Sequence, residues 1–174
     1  MSSFGQQYLG VAMRLTKIVS GGQTGVDRAA LDAALAATFP CGGWTPADRM
    51  AEDGVIPERY PLTPLPRGGY RERTRRNVVD SDGTAILYID SLKGGTRLTR
   101  NLCVSERKAY VLVDAQRLSV EGAVLAVLGF IDDHRIDVLN VAGPRASGWN
   151  QGYDYAFDVV SGLLKDAREG PFAG

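Results

Sequence analysis

Leu15-Thr16-Lys17-Ile18-Val19-Ser20, then Gly21-Gly22-Gln23-Thr24-Gly25, then Val26-Asp27-Arg28-Ala29-Ala30-Leu31-Asp32-Ala33-Ala34-Leu35-Ala36 is the stretch that decides the fold. A short apolar run, a glycine-rich turn and an alanine-rich segment of helical period read as a buried strand feeding a helix. Within Thr24–Thr38, Val26, Ala29, Ala30, Ala33 and Ala37 share one helical face. Thr24 as N-cap with Asp27 three residues on fits a capping box. The glycines let the backbone turn sharply and approach a ligand closely. The first-turn N–H groups and the positive end of the helix dipole suit a phosphate. Ser20, Gly21, Gly22, Gln23, Thr24 and Gly25 are therefore candidate phosphate contacts. The spacing is neither the dinucleotide Gly-x-Gly-x-x-Gly nor a Walker loop. Asp27 sets a negative charge beside the proposed phosphate, and a plain capped helix start explains the same residues.

Outward from this stretch the alternation repeats. Thr84–Ile89, Ala109–Val113 and Val138–Ala142 are apolar runs of strand length, and Phe39–Gly42 supplies a short fifth. Helical patterns cover Tyr70–Asp80, Thr96–Arg107, Ser119–Asp133 and Trp149–Ala167. Strands alternating with helices predict an α/β, Rossmann-like three-layer fold, with a parallel sheet of about five strands flanked by helices. The 174 residues fit one ligand-binding domain over 15–168, with 1–14 and 169–174 as flexible termini. Pro40–Gly69 breaks the rhythm, holding six of the eight prolines. So long a segment without periodicity reads as an ordered, functional loop, anchored by Trp44, Ile56, Tyr60 and Leu62.

Two further loops follow strands: Lys93-Gly94-Gly95-Thr96, and Ala142-Gly143-Pro144-Arg145-Ala146-Ser147-Gly148. All three glycine loops fall at the carboxyl edge of the sheet, where ligands of open α/β sheets collect. Gly94, Gly95, Thr96, Thr99, Gly143 and Arg145 join the candidate contacts. Tyr70, Arg73, Thr74 and Asn77 fall at i, i+3, i+4 and i+7 of a helix, so a polar stripe stands where core residues normally do. Such a stripe needs a ligand or another subunit against it, and Arg73 and Asn77 are its candidate ligand contacts. Arg71, Arg75 and Arg76 read as solvated, with a Glu72–Arg76 pair.

The formal net charge is zero, so no overall field favours nucleic acid or an anionic membrane. Sixteen Arg against four Lys suits anion binding, although the codon usage of a GC-rich genome yields the same bias. Cys41, Cys103 and the single His134 have no disulfide or zinc spacing, so no metal site is expected. No apolar run approaches the roughly 18 residues of a membrane span. The first residues lack a signal-peptide pattern, which points to a cytoplasmic protein. No nucleophile stands with a base, so the chain reads as a binding protein with no catalytic residues. Trp44 and Tyr60 in the long loop are types enriched at interfaces, which suggests a homo-oligomer, a dimer or a tetramer; a lid over the crevice is the competing account.

These residues resemble a known family. Gly21–Asp32, Trp44-Thr45-Pro46, Ala51–Pro57, Tyr60-Pro61-Leu62, Tyr70-x-x-Arg73-Thr74-x-x-Asn77, Ser81–Thr84, Gly94-Gly95-Thr96-x-x-Thr99 and Asn140–Arg145 are similar in order and content to the molybdenum carrier proteins. The likeness runs from about Lys17 to Lys165. That family belongs to a wider group of Rossmann-like nucleotide-sensing folds, which includes the lysine-decarboxylase-like hydrolases. The resemblance implies a carrier or sensor for the molybdenum cofactor (molybdopterin, a pterin bearing a phosphate) or a nucleotide. The alternative is a nucleoside-monophosphate phosphoribohydrolase. Those enzymes carry a glutamate closely after the glycine loop, whereas Arg97, Leu98, Thr99 and Arg100 follow here.

Overall fold

The computed structural model describes residues 14–168. The segments expected to be flexible fall, apart from Arg14, outside the described residues. Five parallel strands form the main sheet: β1 (Lys17–Val19), β2 (Cys41–Gly42), β7 (Gly83–Tyr88), β8 (Ala109–Asp114) and β9 (Val138–Ala142). Their order is β2-β1-β9-β7-β8. The chain first winds outward from β1 to β2, then builds β7 and β8 on the other side. The last strand, β9, inserts between β1 and β7. This reversal opens a crevice beyond the carboxyl ends of β1 and β9.

Helices α1 (Val26–Ala36), α4 (Val120–His134) and α5 (Gly152–Arg168) share one apolar core with the sheet. The alanines of α1 let it sit close: Ala29, Ala30, Ala33 and Ala34 are all buried. From β7, Ala85 and Leu87 point into this core, as the two-residue period of a strand requires. A smaller core on α2 (Tyr70–Val79) and α3 (Gly94–Ser105) joins Val78, Leu102 and Cys103.

The capping box expected at α1 does not form. The helix starts at Val26, with Gly25 as its N-cap at φ 79°. Thr24 is drawn off because its hydroxyl bonds across to the loop after β9, accepting from the Ala146 N–H at 3.1 Å. A Cβ on Gly25 would stand 2.6 Å from the Pro144 carbonyl oxygen, so the loops after β1 and β9 meet through a residue that must be glycine.

The Pro40–Gly69 excursion carries only two-residue strands after β2: β3 (Trp44–Thr45) beside β6 (Thr63–Pro64), and the hairpin β4 (Met50–Ala51) with β5 (Gly54–Val55). It holds together in two other ways. Ala51, Ile56, Tyr60 and Leu62 pack on Leu31 of α1 as a second core. The guanidinium of Arg49 donates to the carbonyls of Ile56, Pro57, Tyr60 and Leu62, satisfying backbone acceptors that no ladder serves. Tyr60, expected to anchor the loop and also considered as an interface residue, is 1% exposed. Its ring is consumed by the internal core, so it offers nothing to an interface. Trp44 is also used within the chain: its Nε1 donates to Asp80 at 2.9 Å, and Arg76 stacks on its ring. Arg76 pairs with Asp80 rather than with Glu72, which instead accepts from the Gly69 N–H at the start of α2.

Candidate functional site

A cavity of about 650 Å³ opens at the crevice. Its walls are the loops after β1, β7 and β9, the polar stripe of α2 and the first turn of α3. Gly21, Gln23, Arg73, Asn77, Gly94, Gly95, Thr96, Thr99, Gly143 and Arg145 all line it, so ten candidate contacts from four separate segments come together. Ser20, Gly22, Thr24 and Gly25 do not line it. The Ser20 hydroxyl donates to the Val141 carbonyl at 2.7 Å and ties β1 to β9. Gly22 turns toward Ile56 and Leu62. Thr24 and Gly25 face the loop after β9.

The α1 N-terminus is filled by the protein's own groups. Val26 N–H donates to the Pro144 carbonyl, and Gln23 N–H donates to the Asp27 carboxylate. Asp27 is in turn buried against Arg73, whose Nη1 donates to Oδ2 at 3.1 Å. Burial pushes the Asp27 carboxyl above its ordinary value, and the Arg73 charge opposes that rise without cancelling it. Both side chains are about nine-tenths buried. Gly21 leaves the space that the guanidinium occupies: a Cβ there would lie 1.6 Å from Nη1. Among the described residues Arg73 has this single side-chain bond, and its Nε is buried without a partner. Nη2 therefore keeps its donors for whatever enters the cavity that Arg73 lines.

Other walls are already committed. Asn77 receives the Trp44 N–H on Oδ1 at 2.8 Å and returns Nδ2 to the Trp44 carbonyl, so it pins the start of the excursion. Thr99 donates to the Gly95 carbonyl. By contrast, the Gly94 and Gly95 N–H groups at the start of α3 meet no acceptor among the described residues. Both residues line the cavity, and a Cβ on either would find nothing within 4 Å. Asn140, on β9, donates to Thr84 of β7 and is among the residues that line the cavity. Asn140 and Asp27 were not among the expected contacts: each looks locally like a strand or helix-start residue.

Residues 18–164 match the circularly permutated YpsA SLOG family. The chain belongs to this family. The chain is also similar to a solved structure from Syntrophus aciditrophicus, named a putative molybdenum carrier protein. Identity is 44%, the match covers 87% of this chain and 96% of that one, and the TM-score is 0.84. The resemblance to molybdenum carriers read from the sequence is thereby borne out, as is the α/β architecture. None of the curated proteins compared with the chain matches it. Among the described residues no group of His, Cys, Asp and Glu is placed to hold a metal ion, and no helix is long and apolar enough to cross a membrane. Whatever this member of the YpsA SLOG family takes into its crevice meets amides, hydroxyls, the buried Arg73 and Asp27, and the more exposed charges of Asp90, Lys93 and Arg145.

Proposed function

We propose that the cavity binds a phosphate-bearing small molecule, and that the chain acts as a carrier of the molybdenum cofactor (molybdopterin) or as a nucleotide sensor. The observation that carries this reading is Arg73: a guanidinium held by one nitrogen, with donors to spare, in a cavity also lined by Gly94 and Gly95, whose N–H groups meet no acceptor among the described residues. A planar fork together with helix-start amides suits a tetrahedral oxyanion. The volume suits a ring system with a phosphate and exceeds what a bare oxyanion needs. The name of the Syntrophus structure supports a molybdenum-linked cargo. Titration calorimetry with AMP, alongside mass spectrometry of small molecules that co-purify with the chain, tests the reading. Binding of AMP, or recovery of a phosphorylated pterin or nucleotide, supports it. A chain that binds neither AMP nor pyrophosphate and carries no such molecule overturns it. Release of adenine from AMP at an enzymatic rate would favour the phosphoribohydrolase instead.

A further inference from the structure

One carboxylate outside the expected set gathers a disproportionate number of donors. Glu52 stands at the turn of the β4–β5 hairpin, far in sequence from the loops it touches. Its Oε1 accepts from the Thr24 hydroxyl, in the loop after β1, and from the Ser147 N–H at 3.1 Å. Its Oε2 accepts from the Ser147 hydroxyl at 2.6 Å and lies 3.4 Å from Arg145 Nε. Its own N–H donates to the Gln23 Oε1 at 2.9 Å. Apart from these bonds, the two loops are joined by the Ala146 N–H on Thr24 and a 3.3 Å contact between Val26 N–H and Pro144 O.

We propose that Glu52 is a positioning residue of the cavity: it clamps the Pro144–Gly148 loop to the β1 loop and so sets where Gln23 and Arg145 stand at the rim. Both of those residues line the cavity, and Glu52 does not. The clamp requires an acceptor with several lone pairs, which a carboxylate on a short turn supplies. The Ser147 and Thr24 hydroxyls, with Arg145 adding its charge, hold the Glu52 carboxyl below its ordinary value. The groups that meet its carboxylate are donors: Thr24 from the β1 loop, and Arg145 and Ser147 from the β9 loop. The nearby Asp53 is occupied by Arg28, so it does not compete for them. The consequence for a ligand rests on the phosphate-binding reading above; the clamp itself does not.

Amide hydrogen exchange on the intact chain, with Glu52→Ala and Glu52→Gln, separates the two. For Glu52→Ala the Ser147 and Ala146 amides are expected to exchange about tenfold faster or more, the factor for losing one charge-assisted bond. Amides of β7 and α4 are expected to keep their rates. Glu52→Gln retains a carbonyl acceptor and restores much of the protection. In wild type that protection falls as the pH drops below the carboxylate range; in Glu52→Gln it stays flat. AMP affinity is expected to fall in Glu52→Ala and to recover partly in Glu52→Gln. Unchanged protection at 146 and 147, or equal loss throughout the chain, overturns the clamp. If AMP binds wild type and Glu52→Ala equally well, the positioning role is refuted. If wild type binds neither AMP nor pyrophosphate and carries no phosphorylated pterin or nucleotide, the functional reading fails and the exchange data still decide the clamp.

Discussion

Gly21→Ala tests the centre of the site most directly. Gly21 does not adopt the left-handed backbone that disfavours side chains, so alanine introduces no strain of its own. The new methyl would, however, stand 1.6 Å from Arg73 Nη1. The guanidinium must leave, and Asp27 is left buried without its cation. Breaking a buried pair in this way costs about 3–5 kcal/mol. The lower figure is the better guide, because Arg73 has an open cavity to move into and Asp27 is able to take up a proton. About 3 kcal/mol corresponds to a fall in Tm of roughly 6–12 °C for a chain of this size. The pH dependence follows from the raised Asp27 carboxyl. Without Arg73 its folded-state pKa rises further, while in the unfolded chain it stays ordinary. The folded variant therefore binds a proton that the unfolded chain releases, and the variant gains stability as the pH falls through that raised value. The deficit relative to wild type is largest at neutral and higher pH, and it narrows as the pH falls through the raised value toward the ordinary carboxylate range. Thermal unfolding followed by circular dichroism at several pH values measures this. The decisive control is Arg73→Ala alone and combined with Gly21→Ala. With the guanidinium gone the methyl has nothing to displace, so the double variant should be little worse than Arg73→Ala. Additive losses, or a Gly21→Ala protein with wild-type Tm at pH 7.5, would refute the eviction argument.

Arg73→Ala is expected to weaken AMP binding roughly tenfold or more, the loss of one charge-assisted contact, whereas Arg75→Ala, which breaks an exposed pair with Glu106, should leave titration calorimetry unchanged. Gly25→Ala forces a side chain into a left-handed backbone against Pro144, and urea unfolding should show a loss of at least ~1–3 kcal/mol. Arg49→Ala removes the donor shared by four carbonyls. About 2 kcal/mol or more of stability should go with it, and protease cleavage should concentrate between residues 48 and 62.

Local order in the chain was legible because it is written in nearest neighbours. The strand–turn–helix at Leu15–Ala36 and the repeats after it rest on apolar period, and all five strands appear where that period places them, within two or three residues. The polar stripe of α2 was legible for the same reason: Tyr70, Arg73, Thr74 and Asn77 fall on one face whatever they touch, and that face lines the cavity. What each of them touches was not legible. Asn77 looks like a ligand residue and is spent on Trp44; Asp27 looks like a helix cap and is the partner of Arg73, 46 positions away. Arg49 and Glu52 lie in a segment with no period at all, and their meaning depends on carbonyls and hydroxyls brought up by folding, in one case from 95 positions away. Strand order belongs to the same class. Nothing in the run Val138–Ala142 says that it lies between β1 and β7, yet that placement creates the crevice. By itself the sequence determined which segments form the main sheet and its helices and which loops carry glycine, because backbone conformation follows local sterics and apolar spacing; the two-residue strands of the excursion carry no such period. Only the tertiary structure decided which charges distant in sequence meet, such as Asp27 with Arg73, because such a pair is a matter of distance in space and the sequence spacing of its partners carries no record of it.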